Sequence, residues 1–408
     1  MELQDIASEI VYLLSYKTIF YMAKSFKSIA AAVFTAMILG AFSIQASGTE
    51  WKRQITVGPY MAGHVQGIAV DKAAGCIYFS FTDVFVKTDL SGRVLGTVEG
   101  FLGHLGCLDL NPADGKVYGS LEYKNDAIGK GILSRNNAEF TTGNRFYIAI
   151  IDVAKIDREG MHAVNDGIVK AVCLNNVIAD YEAKVKVGRH EYEHRYGCSG
   201  IDGVSFGPGF GKDSGNTYLT VAYGIYGDVN RKDNDYQVLH QYDITSWDAL
   251  AQPLSLENPH TSGPDKPYRT YFVYTGNTSW GVQNLEYDAH TGYWFMAVYK
   301  GKKPEFPNYR LFAVDSKARP KMKKLDGVPY AGKQLVLPLA QAGEEHPETG
   351  IFGWARGGGA TGLESLGDGL FYISRSFGKK KEGGYSSELT LWRFTGETRP
   401  FIKVEKLF

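Results

Sequence analysis

One short phrase returns five times along the chain: an apolar–polar–apolar strand, a turn with glycine, then a second strand rich in aromatics. The copies begin at Gly67 (GIAVDKAAGCIYFSF), Cys107 (CLDLNPADGKVYGSL), Gly203 (GVSFGPGFGKDSGNTYLTVAY), Asn284 (NLEYDAHTGYWFMAVY) and Gly362 (GLESLGDGLFYISRS). Antiparallel strands repeating every 40 residues or more predict the blades of a β-propeller, an all-β fold. Equivalent positions of different blades then converge on a central channel, however far apart they lie in sequence.

Each repeat extends to four strands. Third strands are expected at 84–90, 146–153, 238–244, 309–315 and 389–394, and fourth strands at 94–100, 168–174, 269–276, 334–339 and 401–407. Repeat starts lie 40, 96, 81 and 78 residues apart, so the long spacings hold insertions or further blades. No linker or low-complexity tract interrupts the repeats, which predicts one propeller domain over 47–408. The 48 glycines suit a turn-rich all-β chain.

Residues 1–46 read as an N-terminal extension ending in an export signal. From Met22, Lys24 and Lys27 form a positive region, 29–42 is an apolar core too short to span comfortably, and Ile44-Gln45-Ala46 offers a cleavage site. A periplasmic or extracellular protein with no stable membrane insertion after cleavage is expected. Formal net charge is zero, which removes the electrostatic footprint of a nucleic-acid binder. Cys76, Cys107, Cys173 and Cys198 show no CxxC spacing and read as core residues or disulfides.

In a propeller the loops entering the innermost strand and those joining strands two and three share one face. Here these are the long ones, 122–143, 175–200, 224–237, 300–308, 338–358 and 377–387, so the site is expected there, near the axis. Three residues before each repeat start stand His64, His104, Gly200, Gly281 and Gly359: two histidines at one level, beside glycines that open space for a ligand. Two places on stand Gln66, Gly106, Asp202, Gln283 and Thr361. The oxygens of Gln66, Asp202, Gln283 and Thr361 suit either Ca²⁺ in the channel or bound water. A third register holds Ala69, Asp109, Ser205, Glu286 and Glu364. Strand alternation points these away from the oxygen ring, and they are expected to tie blades together.

The densest polar run is RHEYEHRY at 189–196, followed by Tyr223, Tyr226 and Arg231. Such a mixture suits uronate chemistry, in which a basic group neutralises a carboxylate while His and Tyr move protons; a solvated charged loop has the same composition. Arg189 and His190 open this run, and Trp280, Trp354 and Arg356 precede inner strands where aromatic faces can stack on a sugar or plug the channel. There is no P-loop, GxSxG elbow, HExxH or dinucleotide fingerprint.

The phrases AGHVQGIAVD (62–71), LGHLGCLDLN (102–111), GCSGIDGVSFGPGFG (197–211) and SWGVQNLEYD (279–288) resemble glycoside hydrolase family 145 and its polysaccharide-lyase relatives. The resemblance implies seven blades, although five repeats are readable, and in some members a channel calcium ion. It implies cleavage of terminal L-rhamnose α-1,4-linked to D-glucuronate in arabinogalactan proteins or gum arabic, by a monomeric enzyme acting on a carbohydrate. In the hydrolase branch one histidine dominates, matched here by His64. In the lyase branch a His/Tyr/Arg group works by β-elimination, with His104, His194, Tyr223 and Arg231 as candidates. A non-catalytic glycan-binding propeller is the third reading, because one fold hosts many functions.

Overall fold

A computed structural model describes residues 50–139, 143–255 and 259–405; the expected export signal lies outside them. Blade one comprises Val65–Asp71, Cys76–Phe81, Val84–Asp89 and Val94–Glu99. Blade two comprises His104–Asn111, Lys116–Tyr123, Arg145–Ile151 and Val169–Cys173. Blade three comprises Cys198–Pro208, Thr217–Ile225, Tyr236–Tyr242 and Arg269–Tyr274. Blade four has three strands, Thr278–Asp288, Tyr293–Lys300 and Leu311–Asp315. Blade five comprises Leu363–Gly367, Leu370–Lys379 and Gly384–Phe394.

The propeller has five blades, not seven. The innermost strands contact one another in a closed order, one to five and back to one. The N-terminal strand Gln54–Tyr60 pairs antiparallel with Gly384–Phe394, with Gln54 opposite Thr390 and Val57 opposite Ser387. The first strand of the described chain thus completes the last blade and locks the ring. Its lone strand carries no repeat phrase, so the sequence pattern passes over it. The long spacings hold insertions: the helix Ala127–Arg135 within blade two, then the helix Asn175–Tyr181 and the hairpin Lys184–Val187/His190–Glu193 before blade three.

Local chemistry explains the hairpins. The first two strands of blades one, two and four are joined by DKAAG, NPADG and DAHTG. In each, the leading side chain accepts a backbone N–H within the turn: Asp71 from Ala74 at 2.8 Å, Asn111 from Ala113 at 3.1 Å, Asp288 from Thr291 at 2.9 Å. The closing glycines, Gly75, Gly115 and Gly292, sit at φ of 65°, 67° and 74°, where a Cβ is disfavoured.

Outer edges are covered by the following blade. Met161–His162 pairs with Val98 and Glu99 of blade one, and Gln252–Pro253 pairs with Lys170 and Ala171 of blade two. Lys333–Leu337 lies parallel to Tyr271–Val273 of blade three. The strand expected at 334–339 as the fourth of repeat four therefore extends blade three instead. Apolar clusters fill the spaces between adjacent blades, as with Phe146, Ile201 and Tyr223 between blades two and three. All four cysteines are buried and free, so they are core residues and not disulfides. No helix among the described residues is long and apolar enough to cross a membrane.

The third register ties the blades together. Asp109 accepts the Phe206 N–H, Ser205 accepts Tyr287 N–H at 3.3 Å, Glu286 accepts Ser365 N–H at 2.7 Å and Glu364 accepts Val70 N–H at 3.0 Å. Each bond runs from one blade to the next. Ala69 breaks the series, and there the Asp109 carboxylate caps its own neighbour, Leu110 N–H, at 2.7 Å. At the waist of the channel Asn284 Nδ2 of blade four donates to Gln66 O of blade one at 2.8 Å, spanning the axis.

Burial raises the pKa of Glu286 and Glu364 well above the carboxylate range, with Glu364 and Asp109 adding to it at Glu286 and Asp109 at Glu364, and pushes Asp109 up to about 6. A raised native pKa favours the fold when the group is protonated, and that contribution fades as pH rises. The melting temperature should therefore fall between about pH 5 and 8, and less steeply in Glu364→Gln. Equal slopes would contradict this. Glu286→Ala strips the acceptor from Ser365 N–H and should cost about 1–3 kcal/mol in urea unfolding.

Candidate functional site

On the face of the long loops, a cavity of about 420 Å³ opens over the channel, lined by His64, Gln66, His104, Glu122, Lys124, Ile128, Ser199, Asp202, Ser279, Trp280, Gln283, Tyr299 and Lys300. His104 begins the inner strand of blade two. Glu122, near the end of the neighbouring strand, is its direct cross-strand partner. Asp202 comes from the inner strand of blade three. His104 Nδ1 stands 3.8 Å from both Glu122 Oε2 and Asp202 Oδ1, so those two oxygens lie no more than twice that distance apart. His104 Nδ1 itself is buried without a hydrogen-bond partner.

Glu122 is held on two sides. Its Oε1 accepts the Ile201 N–H, and its Oε2 meets Lys124 Nζ at 2.7 Å. Lys124 Nζ also donates to Ser199 O at 2.8 Å and lies 3.8 Å from Asp126. Gly200, at φ 128°, is required here: a Cβ on it would stand 1.8 Å from Glu122 Oε1. The glycine level was expected to open space for a ligand; at Gly200 that space is taken by Glu122. At Gly281 it is taken by backbone, with Tyr223 O 2.4 Å from where a Cβ would be.

Burial sets the protonation states. It lowers the His104 pKa, with the Lys124, His64 and Arg135 charges adding to it, to about 3. It lowers His64 as well. Burial first, then the Glu122 charge, raises Asp202 well above the carboxylate range. Burial also pushes Glu122 up, against the opposing Lys124 charge. For Lys124, burial favours loss of the proton, but Glu122 and Asp126 outweigh it and the pKa is raised. Burial thus biases both imidazoles toward the neutral form and Asp202 toward the protonated form, and leaves a buried ammonium against Glu122. Such a cleft of strongly perturbed groups marks a candidate functional site.

A second cavity of about 590 Å³ adjoins the first and shares Ser279 and Trp280 with it. Its walls include Glu191, Tyr192, Glu193, His194, Tyr226, Asp228, Arg231 and Lys302. His194 lies here, not beside His104; its Nδ1 is 2.5 Å from Tyr181 O, so that nitrogen carries the proton. Arg231 is committed to the loop. Its Nε and Nη2 donate to Asp233 at 2.9 Å each, and its guanidinium also donates to Glu193 O and His194 O.

Several expected site residues lie elsewhere. Tyr223 is fully buried between blades, its hydroxyl donating to Asp180 at 2.9 Å. Trp354 is a core residue whose Nε1 donates to Glu397 O at 2.9 Å. Arg356 is exposed and lines neither cavity. Arg189 and His190 are exposed at the tip of the hairpin Lys184–Val187/His190–Glu193. Sequence reasoning missed Glu122, Lys124, Tyr299 and Lys300. Counting the hairpin outward from NPADG places Tyr123 opposite His104; a bulge between Leu105 and Leu108 shifts the register by one and brings Glu122 there instead, which the sequence pattern does not signal.

The four oxygens expected to bind calcium do not converge. Gln66, Asp202 and Gln283 line the cavity, but Thr361 does not, and its hydroxyl donates to Ser374 O at 2.8 Å. Gln283 turns its amide nitrogen to Asp202 at 2.8 Å. Among the described residues no group of three or more His, Cys, Asp or Glu is disposed to hold a metal. The cationic place beside Glu122 belongs to Lys124, and these residues do not fit a calcium ion.

No family model matches the chain, and no curated protein matches it. Solved structures similar to it include a GH43 β-1,3-galactosidase with galactodeoxynojirimycin (13% identity, TM-score 0.36, covering 81% of this chain and 91% of that one). A glucose dehydrogenase shows 12% identity and a TM-score of 0.33 over 80% of this chain and 96% of its own. The soluble aldose sugar dehydrogenase of Escherichia coli shows 10% and 0.31 over 81% and 96%. Likeness at this level decides neither family nor chemistry; the fold rests on the strand pairing above.

Lys124→Met should cost about 3–5 kcal/mol in urea unfolding, because it leaves Glu122 buried without its counter-charge. Adding Glu122→Gln should recover part of that loss. A single-variant cost under about 1 kcal/mol would contradict the ion pair's burial.

Proposed function

We propose that the protein is a glycoside hydrolase acting in the central cavity. The observation that carries this is Asp202 with His64 and His104 on one sugar-sized cavity, Asp202 standing 3.8 Å from His104. Glycosidic cleavage needs a proton for the departing oxygen and a base for the incoming water. Asp202, whose pKa is raised by burial and the Glu122 charge, is the acid. His64, neutral because buried, is the base toward water. His104 and the fixed Glu122 position substrate hydroxyls, and the exposed Trp280 at the rim offers a stacking face.

The finer substrate in this reading is terminal L-rhamnose α-1,4-linked to D-glucuronate. Its uronate carboxylate needs a cation, and Lys300 on the cavity wall supplies one, since Lys124 is already paired. Elimination is the weaker reading: Tyr223 and Arg231, on which it depends, are committed away from the cavity.

Incubation with gum arabic should release L-rhamnose without ultraviolet absorbance. Rising absorbance would mean an unsaturated uronate and elimination. Neither product would leave a binding propeller. Asp202→Asn should lower turnover by about 10²–10⁴-fold with unchanged circular dichroism. Activity should rise as pH climbs through the lowered His64 pKa, and fall only well above the carboxylate range, as Asp202 ionises. A profile that falls near pH 4 would remove Asp202 as the acid.

A further inference from the structure

We propose that the second cavity binds a further, neutral sugar residue of the same glycan; this rests on the hydrolase reading above. The two cavities share a wall, Ser279 and Trp280. Trp280 is 42% exposed and sits at φ 67°, a conformation that bulky side chains avoid. A strained, solvent-facing tryptophan on the ridge between two cavities points to a contact made with something outside the chain.

The rings continue beyond it. Tyr226 lies 5.6 Å from Trp280, and His194 lies 5.1 Å from Tyr226. This run of aromatic faces leads away from the central cavity, as a chain of pyranose rings does. The charge balance selects the occupant. Glu191, Glu193 and Asp228 line the cavity; Arg231 is neutralised by Asp233, Lys184 stands 3.8 Å from Glu193, and Lys302 is the remaining lining cation, so carboxylates prevail. Carboxylates accept hydrogen bonds from sugar hydroxyls and repel a uronate. The residue bound here is therefore neutral, whatever the residue near Lys300 carries.

The test is hydrolysis by the full-length protein of gum-arabic oligosaccharides of increasing length, from two residues upward. The wild type should gain roughly tenfold in kcat/KM once the glycan is long enough to pass Trp280. Tyr226→Ala should remove that gain through KM, with kcat and the two-residue substrate unchanged, while Tyr226→Phe retains it. Unchanged turnover of the short substrate also reports that the variant is folded. A kcat/KM independent of length, or a gain that survives in Tyr226→Ala, would overturn the subsite. Absence of cleavage at every length would overturn the hydrolase reading, and the subsite with it.

Discussion

The hydrogen bonds that tie the five innermost strands to one another govern this molecule. Five inner strands meet around one axis, where the buried backbone groups of each strand gain from a side-chain partner on the neighbouring blade. The chain answers with bonds that cross from blade to blade: Asp109, Ser205, Glu286 and Glu364 each take a backbone N–H of the next blade, and Asn284 spans the axis to Gln66. These bonds set the spacing of the inner strands. The spacing in turn places His104, Glu122 and Asp202 within reach of one another, although they come from different strands and two blades.

Burial gives the upper cavity its chemistry. Lys124 is buried and still charged because Glu122 and Asp126 face it. Its charge, together with desolvation, keeps His104 neutral, and the Glu122 charge helps keep the proton on Asp202. One buried ion pair thus biases its two neighbours in opposite senses, His104 toward the neutral base and Asp202 toward the protonated acid.

Much of the fold was legible in the sequence because the repeat is local. The phrases DKAAG, NPADG and DAHTG encode hairpins through side-chain turns, and the expected tying role of the third register is what Asp109, Glu286 and Glu364 perform. Long-range pairing was not legible. Gln54–Tyr60 closes the ring against a strand over three hundred residues away, and Lys333–Leu337 joins a blade other than its own; neither partner is signalled nearby. The expectation of seven blades came from resemblance, and ring closure after five replaces it. In the site, residue type misled where burial decides. Tyr223, Trp354 and Arg231 have the chemistry of ligand-binding residues, yet their polar atoms are spent on Asp180, Glu397 and Asp233. Glu122 and Lys124 lay one hairpin away from the histidine that was singled out.

The central claim is that His104 is a neutral imidazole held between the carboxyl groups of Glu122 and Asp202. Nuclear magnetic resonance titration of the histidine side chains, with His104 assigned by its loss in His104→Gln, tests this most directly. The account predicts that His104 stays neutral from pH 8 down to about 4, consistent with a pKa of about 3. Protonation of His104 near the ordinary value of about 6.5 would contradict the buried, clamped site and the assignment of roles built on it.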